Sequence, residues 1–172
     1  MIVSNIYQVF IIALTIGLWI FMKKKGYKNV TRKFILLFIG VLLFEFMTEP
    51  MWVISSLWSW TFIFRDISFI LTLNWINAIM ISILIVDYAF YDLPEKRRFW
   101  MYLLFVTGIM LPLEIFLNNV GILGHATELL ARTAGINIPL SSIPIEAIFV
   151  LPIFGTLIIT FYKYTNYLMD QK

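Results

Sequence analysis

Five long apolar stretches determine what this chain can fold into. They cover residues 7–22, 34–55, 67–86, 99–117 and 143–162. A helix needs about 20 apolar residues to cross the hydrocarbon core of a bilayer. Hydrophobic residues make up 61% of the chain, compared with roughly 45–50% in soluble domains. The sequence therefore predicts an all-α integral membrane protein with five transmembrane helices, forming one polytopic domain over residues 1–172.

The basic residues predict the orientation of these spans. Eleven of the 13 Lys and Arg residues lie in the first loop, the third loop and the C-terminal segment, and only Arg65 and Arg132 lie on the other side. Because cytoplasmic loops are enriched in Lys and Arg, we expect the N-terminus outside and the C-terminus in the cytoplasm of the cell membrane. This distribution explains the net charge of +3 without a nucleic-acid partner. The outer loop, residues 118–142, should contain a short interfacial helix at 126–133.

Several kinds of chemistry are disfavoured by missing residue types and motifs. The chain has no cysteine, which excludes disulfides, thiolate catalysis and Cys-ligated metals. It also lacks an aspartate-rich diphosphate motif, a phosphate-binding glycine loop, a GxSxG motif and a histidine box. His125 is the only histidine and, with Glu128, offers at most half of a metal site. We therefore expect no metal and no cofactor.

Four glutamates lie inside the predicted spans, and they are the candidate catalytic residues: Glu45, Glu49, Glu114 and Glu146. A charged side chain at the centre of a membrane helix costs ~2.5 kcal/mol or more, so such residues usually have a function. Few basic residues are available in these stretches to neutralise them. With a rise of ~1.5 Å per residue, all four are expected in the outer third of the membrane.

The local sequence around each glutamate leaves some alternatives open. Glu45 and Glu49 share a helix face, so at least one should be neutral at pH 7 and able to act as a general acid. Pro50 either kinks the second span or marks its outer end. Glu146 follows a proline and could be an ordinary first-turn carboxylate. Glu114 also follows a proline, but deep within a span, so that explanation does not apply to it.

Polar and aromatic residues near these acids are the candidate substrate-binding residues. Trp75 lies below the usual depth of an interfacial aromatic belt, and aromatic faces stabilise cations. The asparagines on either side of it in the third span share the predicted depth of the glutamates. The predicted substrate-binding set is Asn74, Trp75, Asn77, Asn118 and Phe149.

The C-terminal half resembles a known family in the order and spacing of short motifs. These are Pro112-Leu-Glu114, Val120-Gly-Ile-Leu123, Gly135-Ile-Asn-Ile-Pro-Leu140 and Ile143-Pro-Ile-Glu146-Ala-Ile-Phe149. Over about residues 105–162 the chain is similar to the membrane-embedded lycopene cyclase domains of carotenoid biosynthesis. In that family an acid late in one span is followed by a Gly-Ile-Trp-like stretch and a Pro-x-Glu-Glu…Phe-Phe motif.

The resemblance implies a cofactor-independent cyclase or isomerase in which Glu114 and Glu146 match the family's first acid and the first glutamate of its pair. This chain departs from the pattern at Ala147, Val150 and Leu123, which stand where the second glutamate, the second phenylalanine and the tryptophan would be. A weaker similarity to the same pattern in the N-terminal half suggests a tandem two-helix repeat, with spans two and three related to spans four and five.

Together these features predict a membrane-embedded enzyme that acts on an apolar isoprenoid or carotenoid-like substrate. Protonation by a glutamate would start a cyclisation, an isomerisation or a hydration. The alternative is a small proton- or cation-coupled transporter, or a transporter subunit, that uses the same glutamates. A third hypothesis is that the protein is a non-catalytic membrane scaffold. Five spans make a thin bundle, so a homodimer that shares the site is also considered.

Overall fold

The computed structural model describes residues 2–171 and is 72% helical. Five helices are long and apolar enough to cross a membrane, which confirms the predicted number of spans. The helices are α1 (Ile2–Lys24), α2 (Val30–Thr48), α3 (Phe69–Ala89), α4 (Glu95–Asn119), the short α5 (Thr127–Leu130) and α6 (Ala147–Asp170). The short helix α5 lies within the predicted range 126–133.

The bounds of all five long helices differ from the predicted spans by two or more residues, and two of these differences affect the predicted site. The second span was expected to reach residue 55, but α2 ends at Thr48 and a 3-10 turn follows at Glu49–Met51. Pro50 therefore marks the end of the helix and is not a kink within it, because proline cannot donate the next helical hydrogen bond. The last span was expected to begin at residue 143, but α6 begins at Ala147. Ile143 belongs to the preceding loop instead, where its carbonyl accepts a backbone hydrogen bond of 2.8 Å from Ile138.

Short antiparallel strands join the loops at one end of the bundle, a feature that the all-α prediction does not include. β1 (Trp52–Ile54) pairs with β4 (Leu123–His125), and β2 (Phe62–Phe64) pairs with β3 (Ile67–Ser68). In the first pair Trp52 lies opposite His125. The connection between α2 and α3 is thus fixed to the connection between α4 and α6.

The long helices pack around α3. Helices α2, α3, α4 and α6 contact one another in a ring, and α1 packs against α3 and α2. The side chains of Ile70, Ile79 and Val86 are fully buried along α3. Gly40 permits a close contact between α2 and α6, since a Cβ atom there would lie 3.0 Å from the Phe161 ring. Small residues commonly allow such close helix contacts in membranes.

The two ends of the bundle differ in composition, and we name them accordingly. The loop end contains the paired strands, together with the start of α3 and the end of α4. The basic end contains the lysine-rich loop between α1 and α2 and the C-terminal end of α6. Three acidic residues at the basic end pair with cations: Glu95 with Lys163 (2.9 Å), Asp87 with Arg98 (3.4 Å) and Asp170 with Arg32.

Candidate functional site

A cavity of about 60 Å³ lies between α2, α3, α4 and α6 at the loop end. Four carboxyl side chains line it: Glu45, Glu49, Asp66 and Glu114. We call this space the acid cavity. A single water needs roughly 10–15 Å³ by a comparable measure, so the cavity has room for several waters or a small chemical group.

Glu114 is the most buried of these carboxyl groups. Its residue is 3% exposed, and its Oε2 atom has no hydrogen-bond partner among the described residues. It lies on the face of α4 that also presents Met110 and Leu117 to the cavity. Pro112 is accommodated within α4, so the helix continues past Glu114. The prediction that Glu114 lies deep within a span therefore agrees with the structure.

Glu45 reaches the same cavity from α2 and has one hydrogen-bond partner. Thr72 Oγ1 of α3 lies 2.5 Å from Glu45 Oε2 and 3.1 Å from the carbonyl oxygen of Ser68. Thr72 is fully buried. Among residues 2–171, no Lys, Arg or His side chain forms an ion pair with Glu45 or Glu114.

The other two carboxyl groups of the acid cavity have charged or backbone partners. Glu49 lies just after α2, and its Oε2 atom is 3.8 Å from Nη1 of Arg65, whose side chain is 69% exposed. Asp66 Oδ1 accepts a hydrogen bond of 2.8 Å from the backbone N–H of Ile54. The cavity therefore has a partnered pair of carboxylates, Glu49 and Asp66, and an inner pair of acids without cations, Glu45 and Glu114.

Glu146 lies apart from the acid cavity, although the sequence groups it with the other three glutamates. It sits just outside α6, at the residue before its first turn. Its Oε1 atom accepts a hydrogen bond of 2.7 Å from the backbone N–H of Ala134, and this bond holds the pKa of Glu146 below its usual value. A carboxyl group that favours its ionised form is poorly suited to donating protons near neutral pH.

The predicted substrate-binding residues are also divided, with some in the acid cavity and others outside it. Asn74 and Trp75 line the acid cavity, whereas Asn77 donates hydrogen bonds to Thr15 Oγ1 (2.9 Å) and to the Ile11 carbonyl (3.4 Å). Two others are placed elsewhere. Asn118 connects the loop by donating to the Leu123 carbonyl and accepting from Ser142, and Phe149 is 68% exposed on α6.

The sequence analysis did not select Thr72 and Asp66 as site residues. Thr72 could have been found, since it is a polar residue in an apolar run, two positions before Asn74. Asp66 carried no such signal because it lies in a loop, and its position depends on the strand pair that brings the loop over the cavity. Trp52, which is also outside the predicted set, lines the cavity too.

Trp52 also contacts the single histidine. The rings of Trp52 and His125 have centroids 5.0 Å apart. Burial lowers the pKa of His125, so its neutral form is favoured. Within residues 2–171, no group of three or more His, Asp or Glu side chains is arranged to hold a metal ion.

No protein-family model matches this chain, and no curated protein or solved structure is significantly similar to it. The resemblance to lycopene cyclase domains therefore remains a prediction from short motifs. What the protein does has to be inferred from the acid cavity and its surroundings.

Proposed function

We propose that this protein is a membrane-embedded enzyme that protonates a carbon–carbon double bond of an apolar, isoprenoid or carotenoid-like substrate. Glu114 is the proposed proton donor, and Glu45 supports it from the opposite helix. The observation that carries the proposal is the pair of acids, buried Glu114 on α4 and half-buried Glu45 on α2, that line one cavity without a cation.

Burial without a cation favours the neutral form of both acids. An isolated carboxylate in an apolar environment is far more costly than the neutral acid, because nothing replaces the water that solvated its charge. Two carboxyl groups in one small cavity also repel each other when both are ionised. A carboxylic acid that stays neutral at pH 7 is suited to general-acid catalysis.

The hydrogen bonds of Thr72 support a proton on Glu45. A threonine hydroxyl has one proton to donate, yet Thr72 Oγ1 lies within hydrogen-bond distance of both Glu45 Oε2 and the Ser68 carbonyl. The two contacts are satisfied together when the Glu45 carboxylic acid donates to Thr72 and Thr72 donates to Ser68. This arrangement would hold Glu45 in a fixed orientation towards the cavity.

The proposed reaction needs no redox step. The O–H bond of Glu114 breaks as a C–H bond forms at one alkene carbon, leaving a carbocation at the other carbon and a carboxylate on Glu114. Loss of a proton from a neighbouring carbon to this carboxylate gives an isomer or, after ring closure, a cyclic product. Addition of water, followed by return of its proton to the carboxylate, gives an alcohol instead. In each case Glu114 regains its proton.

Aromatic side chains are available to stabilise the cation. Trp52, Trp75, Phe44 and Phe154 line the acid cavity. The negative face of an aromatic ring attracts a cation within about 6 Å of its centroid. An apolar cavity with acids and aromatic rings thus suits a carbocation better than it suits a hydrated metal ion.

We place the acid cavity on the outer side of the cell membrane, because the basic end should face the cytoplasm. The tandem repeat of helix pairs also remains part of the proposal. Its support is the β1–β4 pair, to which the α2–α3 and α4–α6 connections each contribute one strand.

The test combines lipid analysis with a proton-transfer assay. Apolar lipids that co-purify with the gently solubilised protein are identified by mass spectrometry. The enriched species is then incubated with the reconstituted protein in heavy water. We expect a polyene or polyprenyl species, and a product containing deuterium at carbon. Glu114→Gln should abolish deuterium uptake, whereas the matched variant Glu95→Gln at the basic end should retain it.

Two results would overturn the enzyme proposal. One is the recovery of bulk phospholipid alone, with no difference between wild type and Glu114→Gln. The other is proton-coupled flux across liposomes that depends on Glu45 and Glu114, which would favour the transporter. A transporter also needs water access from both sides in turn.

A further inference from the structure

A second and larger cavity, of about 390 Å³, opens along the side of the bundle between α1 and α4. We call it the lateral groove. Its floor is formed by buried residues of α3, including Asn77 and Ala78, and its rim by exposed side chains such as Ile6, Phe10 and Phe116. It runs along α1 from Val3 to Leu14, roughly 16 Å at the helical rise of ~1.5 Å per residue.

Two residues that line this apolar groove each have a buried polar atom without a hydrogen-bond partner within residues 2–171. These atoms are the Tyr7 hydroxyl and Asn77 Oδ1, on residues that are 6% and 1% exposed. Leaving a buried polar group unpaired costs about 1–3 kcal/mol. Asn77 is held against Ile11 by the hydrogen bond from its Nδ2 atom, and Tyr7 lies one turn before Ile11 on α1. Tyr7 and Asn77 are therefore about one helical turn apart along the contact between α1 and α3.

Asn74 lines both the lateral groove and the acid cavity. Its Nδ2 atom is 3.9 Å from the sulfur of Met110, a weak contact with a flexible side chain. The partition between the two spaces is therefore thin at this point. Asn74 is the residue that the two spaces share, so a chain end in the groove would approach the acid cavity beside it.

We propose that the lateral groove binds the chain of an isoprenoid alcohol, whose double bond enters the acid cavity while its hydroxyl group pairs with Tyr7 and Asn77. This inference rests on the proposed function. A hydroxyl group fits both unpaired atoms, since it donates to Asn77 Oδ1 and accepts from the Tyr7 O–H group. None of the described residues that line the groove is charged, which suits a neutral ligand.

Phospholipid is the competing occupant of a groove that opens towards the membrane. Its acyl chain fits the apolar walls but has no group to pair with Tyr7 and Asn77. Its phosphate would find no Lys or Arg among the described residues that line the groove. A neutral alcohol therefore offers hydrogen bonds to the unpaired polar groups of Tyr7 and Asn77, which the acyl chain of a phospholipid does not.

The test uses three photoactivatable diazirine probes on the reconstituted full chain: a four-isoprene alcohol, its hydrocarbon analogue without the hydroxyl group, and phosphatidylcholine. Crosslinked peptides are mapped by mass spectrometry. We expect the alcohol to label groove residues such as Ile81 and Ile109 about tenfold more than the hydrocarbon, the factor that ~1.4 kcal/mol of hydrogen bonding gives. Tyr7→Phe should remove this preference, whereas Tyr88→Phe, at an exposed tyrosine, should retain it.

A second pair of variants tests whether the probe binds inside the lateral groove. Leu14→Trp should fill the groove and abolish labelling, while Ile16→Trp, on the exposed face of the same helix, should not. Equal labelling by phosphatidylcholine, or labelling that persists in Leu14→Trp, would overturn the inference. Labelling reports binding and deuterium uptake reports chemistry. Groove labelling without deuterium uptake would thus refute the proposed function alone, and uptake without labelling would refute the groove alone.

Discussion

The two ends of the bundle contain the same acidic residue types in opposite circumstances. At the basic end, Asp87, Glu95 and Asp170 each pair with a Lys or Arg side chain. At the loop end, Glu45 and Glu114 face a cavity and pair with no cation within residues 2–171. The acidic residues of the basic end are explained by charge pairing, because each one pairs with a Lys or Arg side chain of a neighbouring helix.

The difference shows which carboxyl groups contribute to the fold and which require another explanation. Exposed ion pairs typically contribute about 0–1 kcal/mol, so the basic end is ordinary surface electrostatics. A buried acid without a cation costs free energy, and its retention implies a use. The comparison therefore explains the acidic residues of the basic end by structure, and it supports our proposal that the inner pair of acids at the loop end takes part in chemistry.

The largest expected effect comes from exchanging one carboxyl group at each end. Glu114→Gln should lower turnover by at least about a hundredfold, because the amide cannot donate a proton as a general acid. Its thermal unfolding temperature should stay close to that of wild type, since an amide resembles a neutral acid in size and charge. Glu95→Gln loses an exposed ion pair and should retain full turnover. Equal activity of the two variants would break the comparison.

A smaller effect is expected from the hydroxyl group that holds Glu45. Thr72→Val removes the contact of 2.5 Å to Glu45 Oε2, and turnover should fall about tenfold because one hydrogen bond is worth ~1 kcal/mol or slightly more. The control is Thr156→Val in α6, whose hydroxyl donates only to the Pro152 carbonyl of its own helix. Turnover assays on both proteins check this, and a similar loss in the control would contradict a specific role for Thr72.

Helix packing should respond differently at two glycines. Gly17→Ala on α1 meets no atom within 4 Å and should stabilise the protein by about 0.5–1 kcal/mol through helix propensity. Gly40→Ala places a methyl group 3.0 Å from Phe161, so the same gain should be cancelled or reversed. Thermal unfolding in detergent measures both. A higher unfolding temperature for Gly40→Ala than for Gly17→Ala would show that α2 and α6 are less closely packed than described.

The smallest expected effect is a pH dependence confined to the loop end. Burial lowers the folded-state pKa of His125 below its unfolded value of ~6.5. The unfolded chain then binds more protons, so stability from this residue is present above pH ~6.5 and is lost as the pH falls towards the folded-state pKa. His125→Phe keeps a ring against Trp52 but cannot titrate. The hydrogen-exchange protection factors of the β1–β4 amides, corrected for the pH dependence of intrinsic exchange, should fall below pH 6.5 in wild type, and the variant should show no such change.

Much of the fold follows from the sequence because membrane spans depend on local composition. The five apolar stretches predict the five long helices, and the presence of Glu45 and Glu114 within two of those helices follows from their place in these stretches. The end of α2 was ambiguous, since a Glu-Pro pair suits both a kink and a helix terminus. The structure resolves it through the strand β1, which begins only two residues after Pro50.

The positions of the remaining candidate residues depend on loop geometry that the sequence does not reveal. Glu146 was grouped with the other glutamates by its predicted depth and by the resemblance to the family motif, yet the turn before α6 directs it to the Ala134 N–H group. Asn118 likewise connects loop segments, which depth cannot indicate. The lateral groove had no sequence signal either, because it arises from how α1 and α4 pack on α3.

The central claim is that the inner acids are neutral, whereas the pairing of Glu95 with Lys163 at the basic end holds its pKa below the usual value. Infrared spectroscopy of the reconstituted protein measures this directly, because a protonated buried carboxyl group has a carbonyl band distinct from that of a carboxylate. At pH 7 we predict such a band in wild type, its reduction in Glu45→Gln and in Glu114→Gln, and no change in Glu95→Gln. The absence of this band in wild type, or its persistence in a Glu45→Gln/Glu114→Gln double variant, would contradict the account.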